Sequence, residues 1–539
     1  MSRLLAVSLL ALTIAPSSAQ FDNVGTISFP TSGSAAAQPH FLRAVAILHS
    51  FGWKQAIAEF QEAQKLEPGF AMAYWGETLC YNHPLQAEQD GKSPREVLAR
   101  LGATPAERLA KAPTDREKGF LQAVEILWGP GDDWRARRVG YMNAMERLAQ
   151  QYPNDDEIKT FYAVSLLSGA RALDDNTYRY EMKAGAIALD VFKRHPNHPG
   201  APHYVIHSFD DPIHAPLALD AARAYAEIVP AVSHGVHMPT HIFIQHGMWN
   251  EVANQNVRAF NVARDLVQPG DTPRAVASTS GDMAHSGDWG QYGFLQLGDY
   301  AGARDRTMAL EAALKQTKNP RLAGVVALTR ARYIIETEEW AVQPIADDAS
   351  TETIFANGMS AVHKGDKAVA AQMLEKLAAK AGAPATAAPA GPHADHGGAP
   401  APAPAPGGAT DAAKAPRIMH RELAAMIAMK GGQRDQAVSL LKEAVQIEDS
   451  MRPPNGAADP IKPAHELLGE ALLEVGQPAE AAKAFDACLL RMPNRARSLM
   501  GAARAHAGAG HKELAEARYK ALKSFWKGAA IAAPTTEAR

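Results

Sequence analysis

Cysteine is nearly absent: the chain of 539 residues carries only Cys80 and Cys488, 408 positions apart and each in an apolar helical pattern. A disulfide framework is thereby excluded as the source of stability, and a buried pair of free thiols is expected. Charge of one sign is lacking too, since 55 lysines and arginines stand against 58 aspartates and glutamates, a formal net charge of −3. Such a balance gives no field to recruit nucleic acid or an anionic membrane, so no nucleic-acid partner is expected. After the first residues, no stretch reaches the roughly 18 uninterrupted apolar residues of a membrane-spanning helix, and no transmembrane anchor is expected. Familiar catalytic strings are also missing: there is no Gly-x-Ser-x-Gly, no Walker loop and no dinucleotide-binding fingerprint in a strand-turn-helix setting.

What is present begins with an export signal. Arg3 supplies a positive start, Leu4 to Ile14 an apolar stretch too short to act as an anchor, and Ser17-Ser18-Ala19 the small residues that a signal peptidase requires. Cleavage is expected after Ala19, with no cysteine following for lipid attachment. The mature chain is expected in the periplasm. Its remaining composition, 46% hydrophobic and 21% charged residues, is that of a folded protein.

Near the C-terminus, Leu468-Gly469, Leu472, Ala481, Phe485, Cys488 and Pro493 place small residues where two helices would touch and a proline where the second helix would close. A step of about 34 residues carries Ala481 to Ala515, Phe485 to Tyr519 and Cys488 to Leu522, so a second unit follows in register. Ala56, Phe60, Ala63 and Pro68 repeat the pattern near the N-terminus, and Gly298-Ala303-Leu310 and Gly432-Ala437-Leu441-Ala444 repeat it between. These spacings resemble the tetratricopeptide (TPR) family. The resemblance implies an all-α fold, a TPR-like α-solenoid of stacked helical hairpins, in which each hairpin hides its apolar face on the next. The stretch 381–416 is almost wholly Ala, Pro, Gly and Thr, and a segment of that composition is expected to be a disordered linker. The expected organisation is a signal peptide over 1–19, an N-terminal helical body over 20–380, the linker over 381–416, C-terminal TPR units over 417–530 and a tail over 531–539. The linker holds His393 and His396, read as accidental polar residues rather than a metal site.

Histidine is the residue out of proportion. Nine of 20 fall between His195 and His246, a segment of 52 residues. His203-Tyr204-Val205-Ile206-His207 sets two imidazoles at i and i+4, one face of a helix and within reach of one ion. His237-Met238-Pro239-Thr240-His241 repeats the spacing, with Pro239 suited to the first turn of a helix that starts near Met238. Two such pairs in neighbouring hairpins would face each other across one groove, with His285 as a fifth nitrogen ligand and Asp210 and Asp211 placed to orient the rings. Neutral imidazoles suit zinc, copper or iron without choosing among them. Neither pair has the glutamate of His-Glu-x-x-His, so a zinc peptidase mechanism is not supported. If the site is catalytic, Asp211 and Asp288 are the candidate proton acceptors and Tyr204 lines the pocket. The competing reading gives these histidines structural work as helix caps and partners of loop carbonyls. Phe209, Phe243, Trp249 and Trp289 are expected in the core.

A second resemblance rests on longer strings: Leu48-His49-Ser50-Phe51, Ala71-Met72-Ala73-Tyr74-Trp75-Gly76-Glu77, His83-Pro84-Leu85 and both histidine pairs. They are similar to a set of exported bacterial TPR proteins, covering roughly residues 40 to 300, and imply fold and export without a substrate. His49 and His83 would join the site if the N-terminal coil curves back. Two functions follow as expectations: a scaffold for a protein or peptide partner carrying a His-rich transition-metal site, or a periplasmic metal-dependent enzyme built on the solenoid. Export is tested by mass spectrometry of the protein purified from its native cells, where the N-terminus is expected at Gln20; a chain still beginning at Met1 removes the periplasmic assignment.

Overall fold

The computed structural model describes residues 23–85, 90–175, 177–268, 270–271, 273–382 and 411–529. The signal sequence, most of the 381–416 linker with His393 and His396, and the tail lie outside these residues. The ends of that linker belong to the helices Lys367–Gly382 and Asp411–Lys430.

Among the described residues the regular structure is helical throughout, apart from the turns that join the helices. Helices pair in chain order: Gln38–His49 with Trp53–Leu66, Trp134–Gln151 with Asp156–Leu173, Trp249–Asp265 with Pro273–Gln296, and Ala464–Glu474 with Pro478–Arg491. This is an all-α, TPR-like solenoid. Its packing rule is visible at Phe485, whose ring lies where a Cβ on Gly469 would come within 2.8 Å and one on Gly501 within 2.3 Å. Only glycine lets both flanking helices close on that ring. Both cysteines are buried thiols outside any disulfide, and burial pushes the Cys488 thiol up.

The apolar core is divided into several clusters along the array. Its largest part runs from Val24 to Leu297 and also takes in Ala457, Ala458, Cys488 and Met492 from far along the chain. A second part joins Leu328 to Leu377 with residues between Ala415 and Ala505, so helices on either side of 383–410 share one interior. Phe209, Phe243, Trp249 and Trp289 are all buried.

The C-terminal units dock on the middle of the chain through the turn that closes Pro478–Arg491. There Asn494 turns left-handed, φ 56°, after Pro493. Its carbonyl accepts from Trp249 Nε1 at 2.8 Å and its Nδ2 donates to the His246 carbonyl at 3.0 Å. Next to it, Arg495 is fully buried and donates to both oxygens of Glu466 at 2.8 and 2.9 Å, lies 2.7 Å from Glu336 and donates to the Tyr292 hydroxyl at 3.1 Å. Burial works against the Glu466 charge, yet Arg495 and Lys462 hold its carboxyl well below the usual carboxylate range. One guanidinium thus ties three helices together. Arg495→Ala removes the cation from Glu336 and leaves Glu466 to Lys462, and is expected to cost about 3–5 kcal/mol; a thermal melt of the variant unchanged from that of the parent would show the tie to be dispensable.

Candidate metal centre

Six histidines meet where four segments converge. His203 and His207 come from Gly200–Ser208, His234 and His237 from the short helix Ser233–His237, His241 from Pro239–Gln245 and His285 from Pro273–Gln296. Pro239 stands at the first position of its helix, where it lacks no hydrogen bond, and so the chain kinks between His237 and His241 without a gap. The rings sort into two groups, His203 with His207 and His234, and His237 with His241 and His285. Within each group one nitrogen per ring lies within 4.8 Å of the others. All are buried except His207, which is half-buried.

Tautomers follow from what each Nδ1 faces. The His203 Nδ1 lies 2.5 Å from the His49 carbonyl, which can only accept, so the proton is on Nδ1 and the Nε2 lone pair is turned to the group. That Nε2 is 3.0 Å from the Nε2 of His234. Asn256 donates its Nδ2 to the Val252 carbonyl at 2.8 Å, which leaves its Oδ1 to accept from His237 Nδ1 at 2.6 Å. Asp210 accepts from His241 Nδ1 at 2.6 Å, while the buried His241 Nε2 meets no protein partner. Three rings are therefore anchored through Nδ1 by groups that accept, and each offers Nε2 inward. This is how protein ligands to metals are oriented.

Aromatic rings wall the site. Phe51 stacks 5.7 Å from His207 and 5.1 Å from His234 and meets His203 edge-on at 4.5 Å, while Tyr225 stacks on His203 at 5.2 Å. Trp289 closes the second group, 5.0, 4.5 and 4.9 Å from His237, His241 and His285. Behind Phe51 lies a cavity of about 30 Å³ lined by Trp53, Tyr141, Phe161 and Tyr204 among others.

A third cluster, His49 with Glu157 and His198, is of another kind. His198 Nδ1 accepts from the amides of Gly200 and Ala201 at 3.0 and 3.1 Å, capping the helix that carries His203, and its Nε2 faces Glu157 at 3.3 Å. His49 lies between the Tyr204 hydroxyl at 3.0 Å and Glu157 at 2.9 Å. Its ring packs so closely on the helix start that a Cβ on Gly200 would come within 2.5 Å of Nδ1. Burial would raise the Glu157 carboxyl, but hydrogen bonds from His198 and His49 outweigh it and hold it at about 2. Burial lowers His49, with Glu157 opposing. The ring nitrogens are spent on protein partners, so this cluster is a brace and its lever is the His49 carbonyl under His203.

The remaining candidates fall as follows. Asp211 accepts from the amides of Ile213 and His214 and from His214 Nδ1 at 2.7 Å, holding a turn. Asp288 is buried against Arg332 at 2.5 Å. Tyr204 is fully buried, its phenol pushed well above the usual value by burial, and it touches His49. His83 stacks on Trp53 at 5.0 Å. His234 was not singled out from the sequence, although His234, His237 and His241 stand at i, i+3 and i+7, the spacing of one helical face. Asn256 and the His49 carbonyl left no sequence signal.

No family model matches the chain, and no curated protein matches it. Among solved structures, the human IFIT1 dimer with m7Gppp-AAAA is 13% identical, with 92% of this chain and 91% of that chain covered at a TM-score of 0.34. The P58(IPK) TPR domain is 13% identical, covering 89% and 99% at 0.22, and yeast Tom70 is 10% identical, covering 91% and 85% at 0.26. At such scores the likenesses carry no functional argument, and the site is read from its own geometry.

Glu157 supplies a pH test. A carboxyl held at about 2 when folded, against about 4.5 in the unfolded chain, stabilises the fold above pH 4.5, and that contribution is lost as pH falls towards 2. A lowered His49 acts in the same direction, because the unfolded chain takes up the proton first. Melting temperature of the chelator-treated protein is expected to drop steeply on acidification, and Glu157→Gln to flatten that dependence; parallel curves for the two proteins would contradict the brace.

Proposed function

We propose that this chain is an exported metalloprotein in which the TPR-like solenoid is a frame for a histidine-ligated transition-metal centre at His203, His207, His234, His237, His241 and His285. The observation that carries this reading is the inward Nε2 set. Three Nδ1–H groups are committed to the His49 carbonyl, Asn256 and Asp210, so the rings of His203, His237 and His241 each turn an Nε2 lone pair toward the other histidines of their own group. Converging acceptors repel unless a proton or a cation lies between them. Imidazole nitrogens choose zinc, copper or iron over magnesium or calcium.

The centre is enclosed rather than displayed. Asn455 reaches Asp210 at 3.4 Å and Gln245 donates to the Pro454 carbonyl at 3.3 Å, so the segment before Ala464–Glu474 covers the side of the site that bears Asp210. A peptide groove needs open polar and aromatic side chains, whereas bound-metal chemistry needs a pocket with an exchangeable position. This enclosure favours a metal-dependent enzyme over a peptide scaffold as the use of the centre. The bound ion would supply Lewis acidity or redox capacity; Phe51 and Trp289 exclude water and Asp210 sets the basicity of His241. Among the described residues no helix is long and apolar enough to cross a membrane.

Metal content decides the matter. The mature protein, purified from native periplasm without chelator or tag, is expected to hold transition metal in stoichiometric amount, and a folded His203→Ala/His207→Ala variant to lose at least half of it. A native protein free of metal would end this reading and leave a partner-binding solenoid.

A further inference from the structure

The six histidines do not form one shell. Each group of three has its own converging nitrogens, and the two groups touch: the rings of His207 and His241 are 5.7 Å apart and those of His234 and His237 are 6.4 Å apart. The helix Ser233–His237 is divided between them, sending His234 to one group and His237 to the other. The two i, i+4 pairs are likewise divided, His203 with His207 on one side and His237 with His241 on the other. A tetrahedral ion takes four ligands, and three imidazoles per group leave one position open on each ion.

Charge balance says what fills those positions. Six neutral imidazoles offset none of the four positive charges of two divalent ions. Asp210 touches a ligand ring, but Asp288 answers Arg332 and Asp211 holds His214. Buried positive charge without a counter-charge costs several kcal/mol per ion, so an anion between the ions is required. The half-buried His207, beside His241 at the junction of the groups, marks the side from which solvent reaches it.

Resting on the metal-centre reading, we infer that the two groups bind a pair of transition-metal ions, His203, His207 and His234 holding one and His237, His241 and His285 the other, bridged by a small anion such as hydroxide. The protein is then a two-metal centre with a shared exchangeable site, and its ligand class is a small oxygen or nitrogen donor that can span both ions.

The test uses the mature full-length protein, stripped with chelator and titrated with Cu(II), the divalent ion that imidazole sites hold most tightly. Bound copper is counted by plasma mass spectrometry and compared with the integrated electron paramagnetic resonance signal. Two coppers per chain are expected, with signal from less than half of them because bridged ions couple, and azide is expected to add a visible charge-transfer band. His234→Ala and His285→Ala, each checked by its melting curve, are expected to retain one copper with nearly full signal. One copper per unmodified chain overturns the pair while the single-centre reading stands. No copper overturns both. Two coppers at full signal overturn the bridge. If either variant unfolds, copper count and signal of the unmodified chain decide alone.

Discussion

A helical hairpin with one apolar face cannot stand alone in water, and this chain consists of such hairpins. Everything else depends on their stacking. The close approach of glycine to aromatic, as at Gly469 and Gly501 around Phe485, sets how near successive helices come. That spacing in turn places short helices such as Gly200–Ser208 and Ser233–His237 side by side with their histidines facing. The polar site is a by-product of apolar packing in position, though not in chemistry.

Polar groups inside such a stack must be answered, and the chain answers them in two ways. Arg495 is satisfied by charge, from Glu466 and Glu336, and fastens the C-terminal units to the middle of the array. Three of the histidines, His203, His237 and His241, are anchored at Nδ1 by a carbonyl, an amide and a carboxylate, and turn Nε2 toward neighbouring rings. His49 and His198 instead spend their nitrogens on a hydroxyl, backbone amides and Glu157.

Local patterns were legible in the sequence and long-range ones were not. The phase of Ala481, Phe485 and Cys488, and the place of Pro239 at a helix start, are set by neighbours within a few turns, so spacing alone reveals them. The repeated i, i+4 pairs pointed to a single site shared by His203, His207, His237 and His241 with His285 as a fifth ligand, whereas the fold sorts these rings into two adjoining groups. The partition of His234 from His237 was not legible, because it depends on how a five-residue helix is rotated by its packing. Asn256, the His49 carbonyl and Asn455 were invisible for a plainer reason: an amide or a peptide bond carries no signature until the fold brings it to a ring.

Phe51 adds a constraint of another sort. It sits in the left-handed region, φ 57°, where a bulky side chain is strained, and is held there with its ring against His203, His207 and His234. The pieces around it come from positions as distant as His49 and Asn455, the latter touching the carboxylate that orients His241. The six rings, Phe51 and the groups that anchor Nδ1 all come from the first 285 residues, whereas the cover over Asp210 comes from the last third of the chain. The Asp210 side of the histidine cluster is therefore the last to close, because its cover is a residue 245 positions further along the chain.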